Sequence, residues 1–137
     1  MISQVANLNW VAVLIAFVAY SFIGWLWFTI LFSKPYKVSL GKANEILPNH
    51  PIFIVGPMFC TITIVITTAV LIYALNVSDI ASALELGLLI GLGYLVANTV
   101  NIAINPNMPR PLFYSLISGA YHLVCILIAC VILVAMK

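Results

Sequence analysis

His122 is the residue of this chain best equipped for chemistry. An imidazole can relay protons, ligate a metal or haem iron, or bond through both ring nitrogens. It sits at the head of an uncharged run, Leu123 to Met136. An ionisable group in such a run is a candidate functional residue, because charge is costly in hydrocarbon. A metal site needs more ligands than one histidine. The other, His50, falls about 16 Å away in depth at the helical rise, so a His pair is not expected. Cys60, Cys125 and Cys130 have no CxxC spacing, and Cys125 and Cys130 lie on different helix faces. They read as small apolar fillers. Glu85 belongs to Ser82-Ala-Leu-Glu85, the pattern of a capping box at a helix start. Asn76-Val-Ser78 matches a glycosylation sequon, but in a short loop against a membrane it is a poor acceptor. No nucleophile–base set and no phosphate-binding glycine loop is present. The expectation is therefore no enzyme, no metal and no cofactor.

The remaining polar and small residues recur at helical steps of three and four. One segment gives Gly87, Gly91, Tyr94, Asn98, Asn101 and Asn105; another gives Ser115, Ser118, His122, Cys125 and Ala129. Gly56, Cys60, Thr63, Thr67 and Ala74 form a third set, and Asn9, Ala16, Tyr20, Gly24 and Trp27 a fourth. In lipid, helices associate through such seams. Gly87 and Gly91 form a GxxxG packing signal. Depth arithmetic at ~1.5 Å per residue places Tyr20, Thr63, Tyr94 and His122 in one midplane layer, with Asn98 a turn closer to the cytoplasm. This predicts a polar cluster. It acts either as glue between helices or as a path for an ion or ligand.

The elements that must position these residues follow from composition. Of 137 residues, 65 % are apolar and 6 % charged, where a soluble domain carries roughly a quarter charged. So few charges cannot clothe a soluble surface, which excludes a cytosolic enzyme, a nucleic-acid binder and a disordered chain. Crossing a bilayer takes about 20 apolar residues in a helix. Four stretches qualify: 8–32, 51–75, 80–104 and 112–136. No alternation of polarity marks a barrel. The expected fold is all-α, a single four-helix transmembrane bundle. The first stretch lacks a basic start and a cleavage site, so it reads as a permanent helix rather than a signal peptide.

Lys34, Lys37, Lys42 and Arg110 flank two loops, against Lys137 on the other side. The positive-inside rule then places loops 33–50 and 105–111 in the cytoplasm and both termini outside, in the plasma (inner) membrane. Trp27, Phe28, Phe32, Tyr36, Phe113 and Tyr114 crowd the inner interface, with Trp10 and Tyr73 at the outer one, as anchors. Pro57 falls inside the second helix and is expected to free the carbonyl of Phe53, giving a kink. Loop one is expected to carry a short interfacial helix over Lys42–Leu47.

Several segments in order resemble a known family: Asn9-Trp10, Gly24-Trp-Leu-Trp-Phe28, Leu31-Phe-Ser-Lys-Pro-Tyr36, Gly87-Leu-Leu-Ile-Gly91-Leu-Gly93, Arg110-Pro111 and Gly119-Ala-Tyr-His-Leu-Val124. Together they are similar to the small four-helix bacterial membrane proteins of domain-of-unknown-function family 1761. Family members often have Gly-Lys-x-Trp where this chain has Ser33-Lys34-Pro35-Tyr36. The resemblance implies four helices, directs attention to Trp27, Lys34, Arg110 and His122, and carries no activity.

Small size and broad apolar faces lead to one functional expectation: an accessory subunit or assembly factor of a membrane complex. Its partners would be the lipid bilayer and further copies or other membrane subunits, not nucleic acid. The alternative is an oligomeric channel or small-solute or proton transporter using the layer around His122. A third reading has His122 and nearby tyrosines holding a haem or quinone.

Overall fold

The structure, a computed structural model, describes every residue from Met1 to Lys137. It is helical throughout and contains no strand. Four helices are long and apolar enough to cross a membrane: Trp10–Leu31, Ile52–Ala74, Ile80–Ala103 and Pro111–Ala135. They are the first to fourth spans below.

The spans do not form a symmetric ring. The fourth lies at the centre and packs against each of the other three, while the first also packs on the second. Burial follows: 56 % of the fourth span's apolar window is buried, against 22, 22 and 17 % for the others. The fourth span can be enclosed because small residues line it; Ser115, Ser118, Gly119, Cys125, Ala129 and Cys130 are all buried. Close approach of backbones is what drives helix pairing where lipid removes the hydrophobic advantage.

Local chemistry sets the ends. Asn9 caps the first span, its Oδ1 accepting from Val11 N at 3.1 Å and Ala12 N at 3.2 Å. The same side chain donates from Nδ2 to Met136 O at 2.6 Å, and Asn9 N donates to Tyr73 Oη at 3.2 Å. One residue thus ties the first, second and fourth spans at the end where both termini lie. Pro111 occupies the first turn of the fourth span, where its missing N–H has no helical partner to lose.

The third span begins differently from the sequence expectation. Asp79 is the cap: its carboxylate accepts from Ser82 N at 2.9 Å and Ser82 Oγ at 2.7 Å. Ser82 therefore serves as donor inside the first turn rather than as the cap. The helix starts at Ile80, which leaves Glu85 one turn too deep to reach back, and it is exposed.

Loop one also differs. Its helix is Ser33–Ser39, not Lys42–Leu47, which is turn and extended chain. Pro35 falls among the first residues, whose N–H groups have no helical acceptor. Tyr36 anchors the segment between Phe28 and Tyr114, at ring separations of 4.8 and 5.9 Å. Lys42–Leu47 has no such anchor; an exposed Lys42–Glu45 pair at 3.9 Å is too weak to hold a helix.

Two π-helical turns interrupt the spans, at Trp27–Leu31 and Gly91–Val96. The second has a sequence cause. Ala83, Gly87, Gly91, Leu95, Thr99 and Ala103 recur at steps of four, and each step overshoots an α-helical turn by ~40°. One residue absorbed into a π turn removes ~100° of that drift. The row is thereby kept on the fourth span: Gly87 against Leu127 and Cys130, Gly91 against Leu123 and Ile126, Ala103 fully buried.

Candidate functional site

Tyr20 and His122 meet at the centre of the chain. Tyr20 Oη lies 3.1 Å from His122 Nδ1. Tyr20 is 1 % exposed and His122 is half-buried. The first span supplies Tyr20 from its small-residue face, one turn after Ala16, and the fourth supplies His122 between Ser118 and Cys125. A phenol can donate to or accept from an imidazole, so the pair links the spans in either tautomer. His122 makes this side-chain hydrogen bond through Nδ1, and its Nε2 is not among the buried polar atoms left without a partner.

The other three predicted members of the cluster are elsewhere. Thr63 is exposed on the second span and returns its hydroxyl to Phe59 O at 2.9 Å. That span carries threonines on two faces, and it is Thr61 and Thr68 that are buried. Tyr94 is 73 % exposed and Asn98 is exposed. The π turn at Gly91–Val96 is the reason. A uniform 3.6-residue helix aligns Tyr94 and Asn98 with Gly87 and Gly91; the extra residue rotates everything after Gly91 and brings Leu95, Val96 and Thr99 inward instead.

Tyr121 fills the place that sequence reasoning assigned to Tyr94. Its ring packs edge-on to Tyr20 at 5.7 Å, to Phe28 at 5.0 Å and beside His122 at 4.8 Å. Gly24 makes this possible: a Cβ there would stand 2.7 Å from Tyr121 Oη. The signal was present in the sequence, since Gly24 and Tyr121 belong to the two most distinctive segments. Only the fold reveals that these segments touch.

Trp27 belongs to the same seam. Its indole Nε1 donates to Ile117 O at 3.2 Å, and its ring lies 4.5 Å from Phe32 and 6.3 Å from Tyr121. It ties the first span to the fourth as well as lying toward the basic end. There Tyr36 closes the row; burial, with a smaller contribution from Tyr114, raises its hydroxyl pKa above the ordinary value. Lys34 and Arg110 are exposed at this end. Gly41 faces Pro109, since a Cβ added at Gly41 would stand 3.0 Å from Pro109 Cγ, so the two basic loops adjoin. Arg110, Pro111, Leu112 and Phe113 line a shallow surface hollow. An apolar groove lined by Leu84, Leu127, Ile128, Val131 and Ile132 follows the third and fourth spans. Neither hollow reaches the Tyr20–His122 pair, and no group of His, Cys, Asp and Glu suited to a metal ion is assembled.

Four apolar spans around an aromatic seam, with no extramembrane domain between them, define a small polytopic integral membrane protein. The family model described as "Protein of unknown function (DUF1761)" matches residues 11–134, and the chain belongs to that family. No curated protein and no solved structure matches it. The matched range contains every residue of the seam, from Tyr20 to His122.

Proposed function

We propose that the protein is a non-catalytic accessory subunit or assembly factor of a complex in the plasma (inner) membrane, oriented with both termini outside and loops 33–50 and 105–111 in the cytoplasm. One observation carries this reading. The third span turns Tyr94, Asn98 and Asn101 away from the chain's own core, while the interior is filled by close-packed side chains around the fourth span. Polar groups facing hydrocarbon find no partner in lipid; another protein surface supplies one. Native mass spectrometry from membranes or mild detergent tests it. Assemblies heavier than the 15.0 kDa monomer are expected, and a lone monomer at native abundance would remove the reading.

The half-buried imidazole of His122 favours a second reading, a proton or small-solute pathway shared between subunits. Proteoliposome flux that is abolished by His122→Ala supports it. Absence of flux, or flux unchanged in that variant, removes His122 from any transport role.

A further inference from the structure

The polar face of the third span identifies what it contacts. Tyr94 lies about 21 Å from the start of the span and Asn98 about 8 Å from its far end, so both fall within the ~30 Å hydrocarbon layer. Below Ser82, the side-chain hydrogen bond within the span is that of Thr99 to Leu95 O; Tyr94, Asn98 and Asn101 make none. Beside them the surface is open enough for another backbone. Gly93 has nothing within 4 Å of an added Cβ, and Ala97, one turn on, is exposed.

We propose that this face, Gly93, Tyr94, Ala97, Asn98 and Asn101, is the contact between two copies of the chain related by a two-fold axis along the membrane normal. The proposal rests on the subunit reading above and names its partner. Four features fit a second copy. No charged residue lies between Glu85 and Arg110, so the face does not call for a partner of opposite charge. Carboxamide and phenol are each donor and acceptor, so two identical faces can satisfy one another reciprocally across a two-fold axis. Copies inserted in one direction also place Tyr94 and Asn98 at the same depth without adjustment. Gly93 and Ala97 form a small-xxx-small step at which two helices can cross closely.

The test is cysteine cross-linking in native membranes, in a Cys60→Ser background that removes the exposed native thiol. Ala97→Cys is expected to yield a disulfide-linked dimer of two identical chains. Val18→Cys, on the exposed face of the first span, is expected to stay monomeric. In liposomes, Tyr94→Phe with Asn98→Leu should weaken self-association measured by energy transfer about tenfold. All of these positions except Cys60 and Val18 lie on the proposed face, and each is exposed, so the core is left intact. Cross-linking at Ala97 no greater than at Val18, or association unchanged in the double variant, overturns the proposal. An Ala97 adduct with a different protein overturns self-pairing while leaving the subunit reading in place. A monomer without adducts that is also monomeric by native mass spectrometry overturns both.

Discussion

Tyr20 and His122 are 102 positions apart in sequence and form the side-chain hydrogen bond at the middle of the chain. Interhelical hydrogen bonds in lipid average ~0.6 kcal/mol and reach ~1.7. Tyr20→Phe should therefore lower stability by about 1 kcal/mol, because it also leaves the imidazole unpaired, while the ring's packing on Tyr121 survives. Ser118, one turn from His122, behaves oppositely. Its hydroxyl is buried without a partner, an arrangement that costs free energy. Ser118→Ala should be neutral or stabilising. Reversible unfolding in mixed detergent micelles compares the two. Equal destabilisation by both would mean that Ser118 Oγ has a partner in the membrane and that the polar centre is wider than the Tyr20–His122 pair.

At the scale of elements, the third span turns on Gly91. A Cβ there would stand 2.7 Å from Leu123 Cδ1 and 3.0 Å from Ile126 Cγ2. Gly91→Leu must push the third span off the fourth, and overpacking of this kind costs about 1–3 kcal/mol. Gly93→Leu, two residues on, meets open space and should leave monomer stability within about 0.5 kcal/mol. Thermal unfolding of the detergent-solubilised monomer distinguishes them; similar losses would contradict the open surface at Gly93. The start of this span has a pH signature. Hydrogen bonds from Ser82 hold the Asp79 carboxyl below its ordinary pKa. Its capping contribution is thus present above the unfolded-state value near 4 and is lost as pH falls through the lower folded value. A falling protection factor at the Ser82 amide on acidification, with exchange corrected for the pH dependence of its intrinsic rate, is the expected measurement, and it should vanish in Asp79→Asn. The same span shows where the sequence stops being legible. Helix existence followed from hydropathy, and the inward faces of the first and fourth spans followed from their small residues at steps of three and four. The third span's face did not, because a periodicity argument assumes a constant turn and the π insertion breaks it at Gly91. In the second span the turn is regular, but threonines on both faces leave Thr61 and Thr63 equivalent by pattern; only packing within the bundle selects Thr61.

For the molecule as a whole, charge and structure act at opposite ends. Lys34, Lys37, Lys42 and Arg110 belong to the two loops that adjoin at Gly41 and Pro109, so they lie at one end of the bundle. At the other end Lys137 is occupied: its Nζ donates to Val77 O at 2.9 Å and lies 5.2 Å from the Tyr73 ring. That lysine neutralises carbonyl dipoles at its own end and offers little to compete with the basic end. Insertion should therefore be strongly one-directional, which is also the condition for two copies to pair in parallel through their third spans. Cysteine accessibility in the Cys60→Ser background checks this in intact cells. Ser78→Cys should react with a membrane-impermeant maleimide, while Lys42→Cys and Arg110→Cys should react only after lysis. Replacing Lys34, Lys37, Lys42 and Arg110 together by glutamine should erode the difference and give mixed labelling at Ser78→Cys, since the charge bias between the two ends is then gone. Labelling of the basic loops in intact cells of the parent variants would invert the topology; mixed labelling in those parents would mean dual insertion, and parallel pairing at the third span would then fail with it.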